Sequence, residues 1–415
     1  MKTWITYIAA LLMGLATALI FGDDPSALSV LSAASSFIVN LGVCIAIPVI
    51  AMTFASGTAS LGKDRKGCRA AAASVLWTVA TTIALSLAAV AVSAAIPTPF
   101  PVTSTAGNPQ GMLSSHVSYM LSSSLSAVYP RNAFLSLASA TYFIVPAIIV
   151  SWVFGLALRP SSDIIRPAYT AMNSFSEVMY RISRTCSVYG FILVCVSSAY
   201  SFMSLYSEKT IQAAPRFALL LCGGSAIAVL ILLPLLFAAF TGFKKNPYKA
   251  LYRSLPAAIA GLSAMNGVSI IPIEEGISRY SLGVQKRISS VSIPLLSVIG
   301  KGGSAFVSAI AMISLFEATT GTMPELSVML IAAAAAALVS LISSAAIGTE
   351  AIFIIVLSLR ILGINLYGAE NAVLALLPLI GGIGAMIDAL IATLGSNIAA
   401  VFVDTDIDVP YKDTL

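Results

Sequence analysis

Eight apolar runs, each long enough to cross a bilayer, follow one another along this 415-residue chain. They fall near residues 4–21, 34–61, 70–96, 133–158, 168–204, 214–242, 288–318 and 371–403. A hydrocarbon core is crossed by roughly 20 helical residues, and a backbone there must satisfy its polar groups internally, as a helix or a closed barrel. Continuous apolar runs without period-two alternation select helices. With 58% hydrophobic and 9% charged residues, the chain has too little polar surface for a water-soluble globule. It reads as an all-α polytopic membrane protein.

The placement of charge orients it. Lys and Arg gather at "GKDRKGCR" (62–69), at Arg159 and Arg166, at "FKKNPYKALYR" (243–253) and at "QKR" (285–287). Asp23, Asp24 and the polar loop 97–128, which has no Lys or Arg, fall on the other side. The positive-inside rule makes the basic loops cytoplasmic, and an inside N-terminus at Lys2 then alternates correctly through six spans. Ala16-Thr17-Ala18 mimics a signal-peptide cleavage site, but the spans that follow favour an uncleaved first helix. A cell (inner) membrane location with both termini cytoplasmic is the expectation.

Several chemistries are excluded. The lone histidine, His116, lies in the polar outer loop, so zinc spacing and an intramembrane Ser–His dyad cannot be assembled. Cys44, Cys68, Cys186, Cys195 and Cys222 form no CxxC pair and mostly sit in apolar segments, as small hydrophobes do. No Walker-type glycine loop is present. No enzyme activity, cofactor, resident metal or nucleic-acid partner is expected.

Two further apolar segments are interrupted. "PAAIAGLSAMNGVSIIPIEEGI" (256–277) breaks at Ser263–Ser269 and meets Pro272, and "AALVSLISSAAIGTEAIFIIVLSLRI" (336–361) breaks at Ser343-Ser344 and Gly348-Thr349. Irregular backbone at membrane depth survives only inside protein or beside a wet cavity. Such pairs of broken segments point to the binding site of a secondary transporter, although a pair of kinked helices would read the same way. "SVIGKGGSAFVSA" (297–309) is a third break, and it carries Lys301 with no acid within ten residues.

In order along the chain, "LGVCIAIPVIAMTFASGTASL" (41–61), the Pro-x-Asn-x-Phe run at Pro130–Phe134, "AMNSFSEVMYRISRTCSVYGF" (171–191), the two interrupted segments and "GIGAMIDALIATLGSNIAAV" (382–401) resemble the sodium:dicarboxylate symporter (glutamate transporter) family, as a divergent member. The resemblance implies a glutamate-transporter-like fold of eight transmembrane helices and two re-entrant helical hairpins, usually a homotrimer. Hairpin one would span 255–278 and hairpin two 326–362. A scaffold part would come from 1–62 and 128–205. The moving part of an elevator would come from 68–96 and 212–403. Substrate would lie between the hairpin tips, the unwound seventh helix and the eighth.

The departures are specific. The family's Asn-Met-Asp-Gly-Thr motif becomes Gly300, Lys301, Gly302, Gly303 and Ser304. In the eighth helix Asp388 matches the aspartate that holds a substrate amino group. The arginine that reads a side-chain carboxylate becomes Ile391, and a sodium-holding Asn and Asp become Gly395 and Ala399. The implied substrate-binding set is Asp388, Lys301, Ser304, Ser263, Asn266, Ser343, Ser344, Ala392 and Gly395. Lys301 and Glu350 are the coupling candidates, with Na+ or H+ as the ion.

An intramembrane ionisable residue is functional by default, and a fixed ammonium at Lys301 can take the electrostatic role of a lost cation. Asp388 is the expected partner, Glu350 the next. Glu350 also reads as an ordinary dipole partner in the first turn of a helix. Thr81 and Thr82 match a sodium-contributing hydroxyl pair but read as packing without the other ligands. Trp77, Tyr129 and Trp152 sit near segment ends and read as interfacial anchors. The expectation is an elevator-type carrier, symporter or exchanger, for a small organic solute, an amino acid with a neutral rather than acidic side chain, with degenerate sodium sites. The alternatives are the usual sodium-coupled dicarboxylate/glutamate symporter and a non-transporting or channel-like relative.

Overall fold

The computed structural model describes residues 2–22, 24–61, 66–101, 144–158, 163–207, 214–299, 301–342, 350–363 and 370–403, with 407, 409, 410 and 414 of the C-terminal tail. His116, Tyr129, Arg159, Gly300, Ser343 and Ser344 therefore lie outside the described residues, as does the Pro130–Phe134 run. The described chain is all-helical. In order it forms α1 (Thr3–Phe21), α2 (Pro25–Leu61), α3 (Lys66–Ala95), α4 (Val145–Ala157), α5 (Arg166–Tyr189), α6 (Phe191–Ser207), α7 (Pro215–Ile227) and α8 (Leu233–Phe240). It continues with α9 (Pro247–Ala264), α10 (Ile271–Tyr280), α11 (Lys286–Ile299), α12 (Gly302–Thr320), α13 (Leu326–Ile342), α14 (Glu350–Ile361), α15 (Glu370–Ala375) and α16 (Leu377–Phe402).

Six described helical runs are long and apolar enough to span a membrane, or seven if the bent pair α5–α6 is one span. The sequence reads 168–204 as one run; the chain turns by 51° around Gly190 instead. At 37 residues α2 extends about 55 Å at 1.5 Å per residue, well beyond the ~30 Å core, so it tilts or bends, and Pro48 sits inside it.

Burial sorts the spans. Only 22% of the α1 window is buried, against 94% of the run Lys286–Thr320 that contains α11 and α12. α1 is peripheral, laying the stripe Thr3, Tyr7, Ala10, Gly14 and Ala18 against α6. Those spacings of three and four are one face of a 3.6-residue helix. α11 and α12 run through the interior, contacting α3 and α16, with α2 against α11 and α13 and α14 against α12.

Local chemistry explains the irregular points. Between α7 and α8 the residues Ala228–Leu232 form one π-turn, just before Pro234. Pro234 has no N–H to give Leu230, and the freed Leu230 carbonyl accepts from the Tyr248 hydroxyl at 3.2 Å. α9 starts on an Asn246 cap, whose side chain accepts from the N–H groups of Tyr248 and Lys249, with Pro247 at the first helical position. It ends where Met265 turns left-handed (φ 52°). Asn266 Oδ1 then accepts from the N–H groups of Val268 and Ser269, and α10 runs back past Pro272. α9 and α10 thus form a helical hairpin with a tip tied by one asparagine.

An ion-pair group ties α5 to the base of this hairpin. Glu177 lies 3.4 Å from Arg279 of α10 and 3.1 Å from Lys286 of α11, and the Arg279 guanidinium stacks 4.5 Å over the Tyr180 ring. Glu177, Arg279 and Lys286 border a cavity of about 560 Å³ that is also lined by Ser56, Asn173 and Ser290.

The Asn246 cap yields a prediction. Asn246→Ala leaves two N–H groups unanswered and lowers stability in detergent by ~1 kcal/mol, whereas Asn246→Asp keeps most of it. Thermal unfolding midpoints of the purified variants measure this; equal loss in both contradicts the cap.

Candidate functional site

α11 stops at Ile299 and α12 begins at Gly302. A helix start exposes N–H groups with no intrahelical partner, and this one is buried, with no capping side chain of its own. Asp388 of α16 supplies the acceptor. Its Oδ1 accepts from Gly303 N–H at 2.6 Å, and its Oδ2 accepts from the Ser304 N–H at 3.2 Å and hydroxyl at 2.6 Å. The approach needs glycine at 303, where a Cβ would stand 2.6 Å from the Gly384 carbonyl oxygen and 2.9 Å from Asp388 N.

The Lys301 side chain leaves this break toward α14. Its ammonium meets Glu350 Oε1 at 3.2 Å. The same ammonium touches the hairpin tip, since a Cβ on Gly267 would lie 2.5 Å from Nζ and 3.7 Å from Glu350 Oε1. Hairpin tip, helix break and the start of α14 therefore converge on one ion pair. Sequence reading pairs Lys301 with Asp388; the contact is instead with Glu350, the second candidate, because Asp388 faces the N–H groups of α12.

A third carboxylate went unnoticed in the sequence. Glu274, in the first turn of α10, accepts from the Ser297 hydroxyl at 2.6 Å and stands within electrostatic reach of Lys301 and Asp388. Lys301 (2% exposed), Glu274 (2%), Asp388 (5%) and Glu350 (7%) are all buried. The signal was available: two adjacent acids in "IIPIEEGI", between small and apolar residues, are ionisable groups at membrane depth.

The remaining candidates divide. The Ser304 hydroxyl donates to the Asp388 carboxylate, Asn266 holds the backbone of the hairpin tip, and Ser263 donates within its own helix to Ile259 O at 2.9 Å. Ala392 is fully buried on α16. Ser343 and Ser344 lie outside the described residues.

Gly395 has a steric role. A Cβ there would stand 2.5 Å from Cδ1 and 2.8 Å from Nε1 of Trp77. Trp77 is no interfacial anchor: it is fully buried, its indole N–H donates to the Ile391 carbonyl at 2.9 Å, and it packs edge-on against Phe240. Trp152, by contrast, is exposed. Of the hydroxyl pair, Thr81 bonds back to Trp77 O and Thr78 O, and Thr82 Oγ1 is buried without a partner among the described residues.

A cation such as sodium needs oxygen ligands. At the positions where the resemblance puts them, Gly302, Gly395 and Ala399 have no side-chain oxygen, and the indole fills the space over Gly395. Among the described residues no group of three His, Cys, Asp or Glu is arranged to hold a metal ion.

The pair predicts a coupled response. Lys301→Met alone strands Glu350, and Glu350→Gln alone strands the ammonium; each costs ~3–5 kcal/mol, the double variant markedly less than their sum. A double-mutant cycle on detergent stability reads this, and simple additivity would refute the pair.

Comparison with known proteins adds the following. The model of the family described as "Sodium:dicarboxylate symporter family" matches residues 4–406. An excitatory amino acid transporter of Onchocerca volvulus is 36% identical over 90 residues, covering 22% of this chain and 18% of that protein. One of Caenorhabditis elegans is 34% identical over 90 residues, again 22% and 18%. Neutral amino acid transporter B(0) of Oryctolagus cuniculus is 24% identical over 167 residues, 40% of this chain and 30% of that protein. The matched stretches thus span less than a third of each relative.

Proposed function

The chain belongs to the sodium:dicarboxylate symporter family, and on that premise we propose that it is a secondary active transporter of a small organic solute, an amino acid with a neutral rather than acidic side chain. The observation that carries this reading is the buried charge inventory at the hairpin tip. Glu274, Glu350 and Asp388 stand against one lysine, which is already paired with Glu350. A solute bringing a second carboxylate would meet more acid and find no free cation. Ile391, fully buried on α16, offers a side-chain carboxylate nothing to bind. An amino group suits the same surroundings, since Asp388 Oδ1 accepts one N–H and has a lone pair to spare.

In this reading the segments 1–62 and 128–205 form a scaffold, and 68–96 with 212–403 travel as an elevator, as symporter or exchanger. Both hairpins move with the second part. The carrier is a homotrimer in the cell membrane, with both termini and the basic loops cytoplasmic. These points rest on the family resemblance and the loop charges. Residues 166–189 and 271–299 lie on opposite sides of that division, so the Glu177 ion-pair group would have to open during each cycle.

Sodium does not fit as the coupling ion in the family's usual manner. The oxygens it would need are replaced by hydrogen atoms at Gly302 and Gly395, by a methyl at Ala399, and by the bulk of Trp77. The relatives' printed names, excitatory amino acid transporter and neutral amino acid transporter, straddle the choice of substrate. The charge inventory favours the neutral class.

Two outcomes test the reading in proteoliposomes containing the full chain. Counterflow of a labelled mixture of neutral amino acids proceeds at the same rate when choline replaces sodium; dependence on a sodium gradient would reject the ion assignment. Glutamate and aspartate compete at least ~100-fold more weakly than the best neutral amino acid, because an unpaired buried carboxylate costs ~3 kcal/mol or more. Glutamate or aspartate as the tightest competitor would reject the substrate class.

A further inference from the structure

Beyond α16 the chain comes back against the helices at three described residues. The Ile407 N–H donates to the Gly283 carbonyl, in the turn between α10 and α11, at 3.0 Å. The Val409 carbonyl accepts from Arg253 of α9 at 2.6 Å. Thr414 accepts from the Lys2 ammonium, just ahead of α1, through its carbonyl at 3.1 Å and its hydroxyl at 3.0 Å. The turn is shaped for the first of these contacts. Gly283 has a φ of 75°, which favours glycine, and a Cβ there would overlap the Ile407 carbonyl oxygen.

We propose that this tail is a strap that restrains solute exchange, anchored on the scaffold at Lys2 and on the moving part at Gly283 and Arg253. This rests on the transporter reading above and on its division of the chain. In that division Lys2 belongs to 1–62, whereas Gly283 and Arg253 belong to 212–403. Through Ile407, Val409 and Thr414 the tail is hydrogen-bonded to both parts at once. Thr414 lies five positions after Val409, and five residues reach at most ~17 Å. A displacement of the moving part beyond the slack in so short a link breaks one of its anchors.

Two further observations place the strap across the seam between the parts. Ile407 and Val409 line the cavity of about 560 Å³ whose other walls are Ser56, Asn173 and Glu177 on one side and Arg279 and Lys286 on the other. The tail therefore lies beside the Glu177 ion pairs, which the same division requires to open. The charges are complementary as well. Residues 404–413 carry Asp404, Asp406, Asp408 and Asp413 against Lys412 alone, and Ile407 shares a small pocket with Lys245, Lys249 and Arg253 at the start of α9. An acidic stretch is drawn to such a basic face within about a Debye length, ~10 Å at 0.1 M salt.

The Lys2 end is the one that yields. Arg253 is buried, whereas Lys2 is half-buried, and water competes for the contacts of a part-exposed ammonium. A tail that merely sealed the base of the hairpin would need no contact with the start of α1. The Lys2 contact is what spans the division.

Two readouts test this, one of them independent of any solute. In detergent, the Ile407 amide of the full chain exchanges hydrogen at least ~10-fold more slowly than the same amide in a free peptide of residues 404–415. Equal rates overturn the proposal, because the tail is then not docked. In proteoliposomes, counterflow of a labelled mixture of neutral amino acids runs ~3- to 10-fold faster in Lys2→Met than in wild type, the range expected for losing one hydrogen-bonded anchor. Lys2→Arg, which keeps the charge and the donors, stays at the wild-type rate. A chain ended after Val403 is as fast as Lys2→Met or faster; if it fails to fold, the Lys2 variants decide. A purely structural tail leaves the rate unchanged or lowers it, and either result in Lys2→Met overturns the strap. Absence of wild-type counterflow for every probe overturns the transporter reading instead, and the Ile407 amide then still decides whether the tail is docked.

Discussion

The arrangement depends on one substitution of acceptors: the Asp388 carboxylate stands where a previous helical turn would have been. Helix α12 begins in the interior, where bulk water cannot answer its first N–H groups, and unanswered groups there cost free energy. A side chain from α16, 84 and 85 residues away in sequence, meets that demand with three hydrogen bonds. The contact locks α16 to α12 and requires glycine at 303. It also lets the chain stay unwound at Lys301. A continuous helix would carry that ammonium on its surface, whereas the break directs it toward the hairpin tip.

The same economy governs the packing. Apolar side chains gain little from one another in a lipid environment, so close approach and hydrogen bonding hold such helices together. Serine and glycine mark the tightest contacts: Ser278 with Ser396 at 2.6 Å across α10 and α16, and Gly395 beneath the Trp77 indole. Trp77 shows how steric and chemical consequences coincide. Its N–H finds a backbone carbonyl on α16, as a buried indole requires. Its bulk takes the place where, by resemblance, side-chain oxygens would hold a cation. At Gly395 the space that a side chain would take is therefore filled by the indole.

Much of this was legible beforehand. The apolar runs and the two interrupted segments showed a polytopic helical chain with irregular backbone at depth. The glycines around Lys301 marked the helix break. Other features were not legible, for physical reasons. Glu274 sits in a hairpin arm whose burial cannot be judged from "IIPIEEGI" alone, since adjacent acids next to a proline also suit a solvated turn. Trp77 lies ten residues inside Gly67–Ala95 and reads as an anchor, because the partner that buries it, Gly395, is more than 300 residues away. The bend at Gly190 leaves hydropathy unchanged, so one long apolar run was expected where the chain turns by 51°.

The sequence by itself determined the class of protein and the family it belongs to, because hydropathy, positive loops and the order of broken segments are local properties that survive divergence. It also determined that Lys301, Glu350 and Asp388 had to be sheltered at membrane depth, since each falls within an apolar segment. Which acid shelters which charge was decided only by the tertiary structure. Lys301 pairs with Glu350 because the hairpin tip leaves glycine at 267 and the start of α14 beside the break. Asp388 turns to the backbone of α12 because an N-terminus lies directly against it. Glu274 is left with a hydroxyl. Partnerships between residues 23 to 85 positions apart depend on distances of a few ångströms, and those are properties of the packed helices, not of any segment read alone.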